Sequence, residues 1–579
     1  MTIFSCSKIP GLALLIFCAF HLEAAEPYLP DSEIDRFFLA EGRMSYDDAR
    51  LQDFLSQITR SHPLTPVAES APEIHGNAVE IVDTAERASE LWVSLIREAQ
   101  HHIHIQTYFI VDDVEYHDED PVPCEQGPEV LERNYIACML WQAAERGVHI
   151  RFMADSLGNT DVIVGGATIL QQLARHPKID IMNYNPVMAY NLARDSLWEP
   201  YGVWLWPQNR LHSKVLIVDG RSALTGGRNI GRNYMKPAPD HPPPDWGPRV
   251  YGLSSDYKYR DTDILVTGPA VGTMQRSFMK NWLEFGDWEQ TITDSAGVWP
   301  SLNPGTWVNK GDCLQQVYYG VRYYCKKNDQ RLRDIHTPDE IAADAELFPA
   351  LPTTGGSLVR YLDSDAVRAG HIPDRPYLRK LQENALHRPR VSDAELDPYR
   401  GLTNGERVYL TLIHNAQKSI RLTNSYFALS QPMRKALREA VERGVKLEIF
   451  TNSYQSNDEA ILWDCSVPDF KNFLDLGAEI YEWMSQAGML HAKSALFDDT
   501  IAIVSSFNFD NASFKSNMES LAVIRGATAM DSMKRVWDLD MENPMTRKMT
   551  PDTLQKDANS RGIKGYLARP ICSKLGGDN

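Results

Sequence analysis

Two stretches of the chain repeat one order of apolar and polar positions. In the first, a β-type run from His102 to Phe109 is followed by a helix-period stretch closing on Ala144-Glu145-Arg146-Gly147-Val148, and a second β-type run begins at Ile150. In the second, Ser419 to Phe427 leads through Val441-Glu442-Arg443-Gly444-Val445 into Leu447 to Phe450. A period near two, then one near 3.6 punctuated by glycine, then two again is the grammar of a β-α-β unit. Its repetition predicts an α/β protein with parallel strands covered by helices.

The flanking sequence divides the chain. Lys8, the apolar run Gly11 to Phe20 and the small pair Ala24-Ala25 read as a secretory signal peptide over residues 1–25, with an uncleaved anchor as the alternative. Residues 26–77 form a lead segment, in which Asp31 to Ile58 has the apolar spacing of a helix pair. The first repeat-bearing domain then spans 78–299, a connecting segment 300–399, the second domain 400–543 and a polar tail 544–579. Within the first domain Pro237, Pro239, Pro242, Pro243, Pro244 and Pro248 forbid a regular helix or central strand, so 236–248 reads as an inserted loop.

Each repeat ends in the same constellation. His212-Ser213-Lys214 precedes Asp219 and then Gly226-Gly227-Arg228-Asn229, while His491-Ala492-Lys493 precedes Asp498 and then Ser505-Ser506-Phe507-Asn508. On a strand, residues two apart share a face, so each imidazole and ammonium can address one ligand. One accidental His-x-Lys-xxxx-Asp is expected about 0.05 times in such a chain, so two hits at matching places in a repeat are not chance. Phosphoryl transfer needs what these sets offer: a nucleophile and proton carrier active near pH 7, and donors for the oxyanion charge. Asp219 and Asp498 fit better as strand-end hydrogen-bond acceptors than as proton shuttles.

Charge narrows the substrate. The 579 residues hold 59 basic and 77 acidic side chains, a net −18, so the basic field that grips nucleic acid is missing overall. With Cys6 and Cys18 lost with the signal, six cysteines remain, and Cys124/Cys138 and Cys313/Cys325 are the simplest disulfide pairs, buried free thiols being the alternative. Val187 to Trp206, with Trp204 and Trp206, concentrates aromatics just before the first motif, as an interfacial loop or as buried core.

The duplicated His-x-Lys-xxxx-Asp with its following Asn resembles the phospholipase D superfamily, over roughly 78–525. The wider context, including Gly226 to Gly231, Asp261 to Pro269, Asn452-Ser453 and Phe507 to Asp510, is similar to bacterial cardiolipin synthases of the C type. The resemblance implies two α/β/α sandwich halves in one bilobal unit with a shared cleft. It further implies a covalent phosphohistidine on one of His212 and His491, proton transfer by the other, and Lys214, Lys493, Asn229 and Asn508 on the non-bridging oxygens, without metal or cofactor. A downstream acid is expected to orient each imidazole, Asp263 in the first half and Glu519 in the second. Ser505 where glycine is commoner, Arg232 where an acid often follows Gly231, and the proline-rich insert depart from the pattern.

The reading is a phosphatidyltransferase at a periplasm-facing membrane surface, exported and acting on phospholipids, with His212 favoured as nucleophile. Its rivals are hydrolysis to phosphatidic acid, a secreted effector, a nuclease disfavoured by the charge, and a binding module disfavoured by both intact His-Lys-Asn sets.

Overall fold

In a computed structural model, the structure describes residues 33–59, 71–110, 135–155, 169–173, 176–184, 210–235, 258–279, 281–282, 307–310, 313–316, 355–365, 402–485, 488–515, 517–562 and 572. The segments read as signal peptide, aromatic loop with Trp204 and Trp206, and proline-rich insert lie outside these residues.

The first repeat supplies β1 (Ile74–Val82), α3 (Ala85–Glu98), β2 (His102–Thr107), α4 (Tyr135–Glu145), β3 (His149–Asp155), α5 (Ile169–Leu173), β4 (Ile179–Tyr184), β5 (Val215–Val218), β6 (Ser222–Gly226), α6 (Arg232–Met235), β7 (Lys258–Arg260) and β8 (Asp263–Thr267). Two lead helices, α1 (Glu33–Glu41) and α2 (Ala49–Ile58), precede it. The connecting segment contributes a hairpin, β9 (Trp307–Lys310) with β10 (Cys313–Gln316), and β11 (Ser357–Asp365). The second repeat runs α7 (Asn404–Asn415), β12 (Ser419–Thr423), α8 (Gln431–Glu442), β13 (Lys446–Asn452), α9 (Ala460–Asp475), β14 (Glu479–Trp483), β15 (Gly488–Leu490), β16 (Ser494–Phe497), β17 (Ile501–Ser505), α10 (Asn511–Lys515), β18 (Met518–Arg525), α11 (Ala527–Glu542), β19 (Thr546–Lys548) and α12 (Pro551–Arg561).

The repeated grammar holds in three dimensions. β2 pairs parallel with β3, and β12 with β13, across their helices. Thr84, Thr403 and Ser430 cap helices by accepting a backbone N–H. The glycines closing the two crossover helices, Gly147 (φ 100°) and Gly444 (φ 91°), occupy the left-handed region that a side chain disfavours. β2 and β18 are buried at every position, as strands covered on both faces must be.

One 15-stranded sheet joins the halves, in the order β19-β14-β13-β12-β16-β17-β18-β11-β1-β8-β6-β5-β2-β3-β4. β11, from the segment read only as a connection, sits at the seam, antiparallel to both β18 and β1. The lead helices pack on the second half rather than on the first half that follows them. Ile34, Leu51 and Leu55 join a core with Leu410, Leu412 and Leu437, and the Tyr46 hydroxyl donates to the Leu412 carbonyl at 3.0 Å. A separate core mixes Leu211, Val215 and Ile264 with Leu496, Val504 and Met518, so the two halves meet at the strands that carry the motifs.

The structure describes a long-range disulfide beside the two short-range pairs expected from the sequence. Cys465 on α9 bonds Cys572, 107 residues away, and fastens the tail to the second half. Cys138 is also disulfide-bonded, while Cys124 and Cys325 lie outside the described residues. Among the described residues no helix is long and apolar enough to cross a membrane.

Candidate active site

Each motif histidine leaves its half to find its partners. The His212 N–H donates to the Met518 carbonyl at 2.8 Å, and Leu211 bridges Met518. Reciprocally, β15 pairs parallel with β7, and the His491 N–H donates to the Arg260 carbonyl at 2.7 Å. The peptide N–H just before each histidine is held by its own half: Asp155 accepts from Leu211 and the Asn452 amide oxygen from Leu490, both at 2.8 Å.

The backbone exchange brings each imidazole to an acid of the opposite half. His212 Nδ1 lies 2.8 Å from Glu519 Oε2, and His491 Nδ1 lies 2.7 Å from Asp261 Oδ2. Two sequence expectations are corrected here. Glu519 serves the histidine of the first half, and Asp263 orients neither imidazole. Asp263 instead receives the Arg228 guanidinium (2.8 Å) and backbone N–H (3.2 Å), and Asp261 takes the place expected for it. The sequence held a signal for this: Gly526 follows Glu519 at the same spacing as Gly268 follows Asp261, and the two glycines share φ near 135°.

A second asymmetry separates Gly227 from its counterpart Ser506. A Cβ at Gly227 would collide with the Asp261 carboxylate, and one at Gly226 with Asp263, so the first half needs bare glycine beside its short acid. In the second half Ser506 Oγ donates to Glu519 Oε2 at 2.5 Å, and Ser513 Oγ to Oε1 at 2.6 Å. The longer glutamate leaves room for hydroxyls that fix it.

The lysines and amides close the centre. Lys214 Nζ donates to the His212 carbonyl at 2.5 Å, and Lys493 Nζ to that of His491. Asn229 Nδ2 donates to the Tyr234 hydroxyl at 3.1 Å, whereas the buried side-chain oxygen of Asn508 has no hydrogen-bond partner among the described residues. Tyr108 meets His212 edge-on at 5.6 Å and lies under Lys214 at 5.8 Å. Asp219 and Asp498 lie apart, as turn-formers. Each sits in the left-handed region (φ 52° and 51°) and accepts three backbone N–H groups, from Gln100, His101 and His102 and from Gln417, Lys418 and Ser419.

Burial sets the protonation states. It lowers Lys214 to about 7 and Lys493 to about 8 despite the attraction of Glu519 and Asp261 on both. Burial likewise lowers both imidazoles below their usual value, against the pull of the facing carboxylates. Burial opposes ionisation of Glu519 too, but the charge and hydrogen bond of His212 outweigh it and hold the carboxylate below the ordinary range. A carboxylate on Nδ1 fixes the tautomer and leaves Nε2 of each ring with its lone pair. Among the described residues no group of three or more His, Cys, Asp or Glu could hold a metal ion.

Two halves that exchange acids across paired His-Lys-Asn sets, at the seam of one sheet, define a duplicated phosphodiester-transfer site. A family model for the PLD-like domain of cardiolipin synthase matches residues 409–540. Cardiolipin synthase 1 of Bacillus cereus is 24% identical over 484 residues, covering 83% of this chain and 69% of that one. Cardiolipin synthase C of Escherichia coli is 25% identical over 416 residues, 67% of this chain and 72% of that one. The crystal structure of a phosphatidylserine synthase from Haemophilus influenzae aligns with 86% of this chain and 95% of its own, at 12% identity and a TM-score of 0.48. Residues 409–540 thus match the PLD-like domain of the cardiolipin synthase family, and over two thirds or more of its length the chain is similar to cardiolipin synthases.

Proposed function

We propose that the protein is a phosphatidyltransferase that moves a phosphatidyl group from one phospholipid to an alcohol, the headgroup hydroxyl of a second phospholipid being the favoured acceptor. The observation that carries this reading is the crossed pairing of His212 with Glu519 and His491 with Asp261, which turns both Nε2 atoms away from their acids. In the first step His212 Nε2 attacks phosphorus, the bond to the departing headgroup oxygen breaks, and that oxygen takes the proton carried on His491 Nε2. In the second, the acceptor hydroxyl gives its proton to His491 as its oxygen attacks, and the phosphorus–nitrogen bond to His212 breaks. Lys214, Lys493, Asn229 and Asn508 donate to the non-bridging oxygens throughout. Cardiolipin synthases among the relatives support lipid substrates, and a disulfide joining Cys465 to Cys572 supports an oxidising, exported location.

Lipid mass spectrometry tests the proposal, with phosphatidylglycerol and phosphatidylethanolamine in mixed vesicles. Cardiolipin formed by the parent and by neither His212→Ala nor His491→Ala is the expected result, with acid-labile phosphate trapped on the His212 peptide. Phosphatidic acid alone makes it a hydrolase, label on the His491 peptide reverses the two roles, and no lipid change by folded protein overturns the reading.

A further inference from the structure

The two histidines are flanked differently. Five residues beyond each motif asparagine, the first half has Tyr234 on α6 and the second has Ser513 on α10. Ser513 serves Glu519 and so supports His212. Tyr234 instead crosses to His491. Its ring meets that imidazole edge-on at 5.2 Å, it stacks on Tyr259 at 4.3 Å, and Tyr259 meets the same imidazole at 5.3 Å.

This aromatic pair is held as firmly as the acids are. Tyr234 is 2% exposed and its hydroxyl accepts from Asn229 Nδ2. Tyr259 rides on β7, whose partner β15 runs directly into His491. The two strands approach so closely that a Cβ on Gly488 would collide with the Lys258 carbonyl. Wall and imidazole are thus fixed by one ladder.

We propose that Tyr234 and Tyr259 form a positioning wall for His491 that makes the site favour an alcohol over water as the group deprotonated there. The inference rests on the proposed transferase reading, with His491 as proton carrier. An aromatic ring face is a poor hydrogen-bond partner for an ordered water beside the imidazole, yet it contacts the carbons of a headgroup alcohol well. Water as acceptor yields phosphatidic acid, so the wall acts on partition rather than on formation of the phosphoenzyme.

The test compares the full chain with Tyr234→Ser, Tyr259→Ser and Tyr234→Phe, measuring the ratio of transfer product to phosphatidic acid in the mixed vesicles. Alongside it, the titration of His491 is followed by NMR with labelled histidine. Either serine variant is expected to raise the hydrolytic share at least threefold and to move the His491 titration upward as water reaches the ring, and Tyr234→Phe to restore the parent ratio. A serine pair that folds and keeps both the parent ratio and the parent titration overturns the wall. If the parent makes neither product, the transferase reading falls, and the NMR comparison alone decides the wall: an upward shift supports it and an unchanged titration overturns it. Should Tyr234→Ser not fold, Tyr259→Ser carries the same decision.

Discussion

His212 and Glu519 are 307 residues apart in sequence and 2.8 Å apart in space. His491 and Asp261, 230 residues apart, repeat the relationship in the opposite sense. Neither half therefore holds both a motif histidine and the acid that orients it. Each imidazole takes its tautomer from the other half, so the chemistry depends on the seam being closed.

The crossed acids should be as necessary as the histidines they hold. Glu519→Gln and Asp261→Asn keep the shape but let the ring adopt the other tautomer, and each should lower kcat by on the order of 10³-fold or more. Asp263→Asn, which leaves both histidine–acid pairs in place, should spare the tautomer and act through stability. A rate measurement on the three purified variants checks this. Equal losses in Asp263→Asn and Asp261→Asn would show that the assignment of Asp261 is mistaken.

Activity should be highest on the acid side of neutrality. Both imidazoles are lowered below the usual 6.5, and the proposed mechanism needs one proton shared between them in the free enzyme. Raising the pH removes that proton, so kcat/KM should fall about tenfold per unit above pH 6.5. The fall should steepen as Lys214, near 7, and Lys493, near 8, lose their charge. Arginine stays protonated, so Lys214→Arg should lose the steepening contributed by that lysine. A kcat/KM that rises from pH 6.5 to 8 would contradict the direction of both sets of shifts.

Asp219 and Asp498 should matter for folding rather than chemistry. Each gathers three N–H groups while in a backbone region that alanine resists, so replacing either by alanine should cost about 3 kcal/mol. Denaturant unfolding measures the cost. The pH profile of the surviving folded fraction should match the parent, because neither carboxylate touches a motif histidine.

The bond between Cys465 and Cys572 should hold down the C-terminal tail. Cys572 packs on a small cluster of Ala428, Ile461 and Leu462, too little surface to fix a chain end without the covalent link. Cys572→Ser should lower stability by about 2–5 kcal/mol and expose the tail to limited proteolysis, read by intact mass. Identical protease resistance with and without the bond would argue that the cluster alone suffices.

The β-α-β repeat, the two His-Lys-Asn sets and the hydrogen-bond-acceptor role of Asp219 and Asp498 were legible in the chain because they are local. Strand and helix periods, glycine at a left-handed helix end, and spacing of two on a strand act within a few residues. The supporting acids were only half legible. Asp263 and Asp261 lie two apart, and which one faces an imidazole depends on where β8 begins and on whether Gly227 leaves space. What the tertiary structure alone decided is pairing between the halves. That Glu519 reaches back to His212, that Tyr234 crosses to His491 while its counterpart Ser513 stays with Glu519, that β11 forms the seam and that Cys465 reaches Cys572 all depend on contacts over a hundred residues or more, or on the register of facing strands. Sequence periodicity carries no record of such contacts, because burial at the seam rewards apolar positions without saying which strand will cover them.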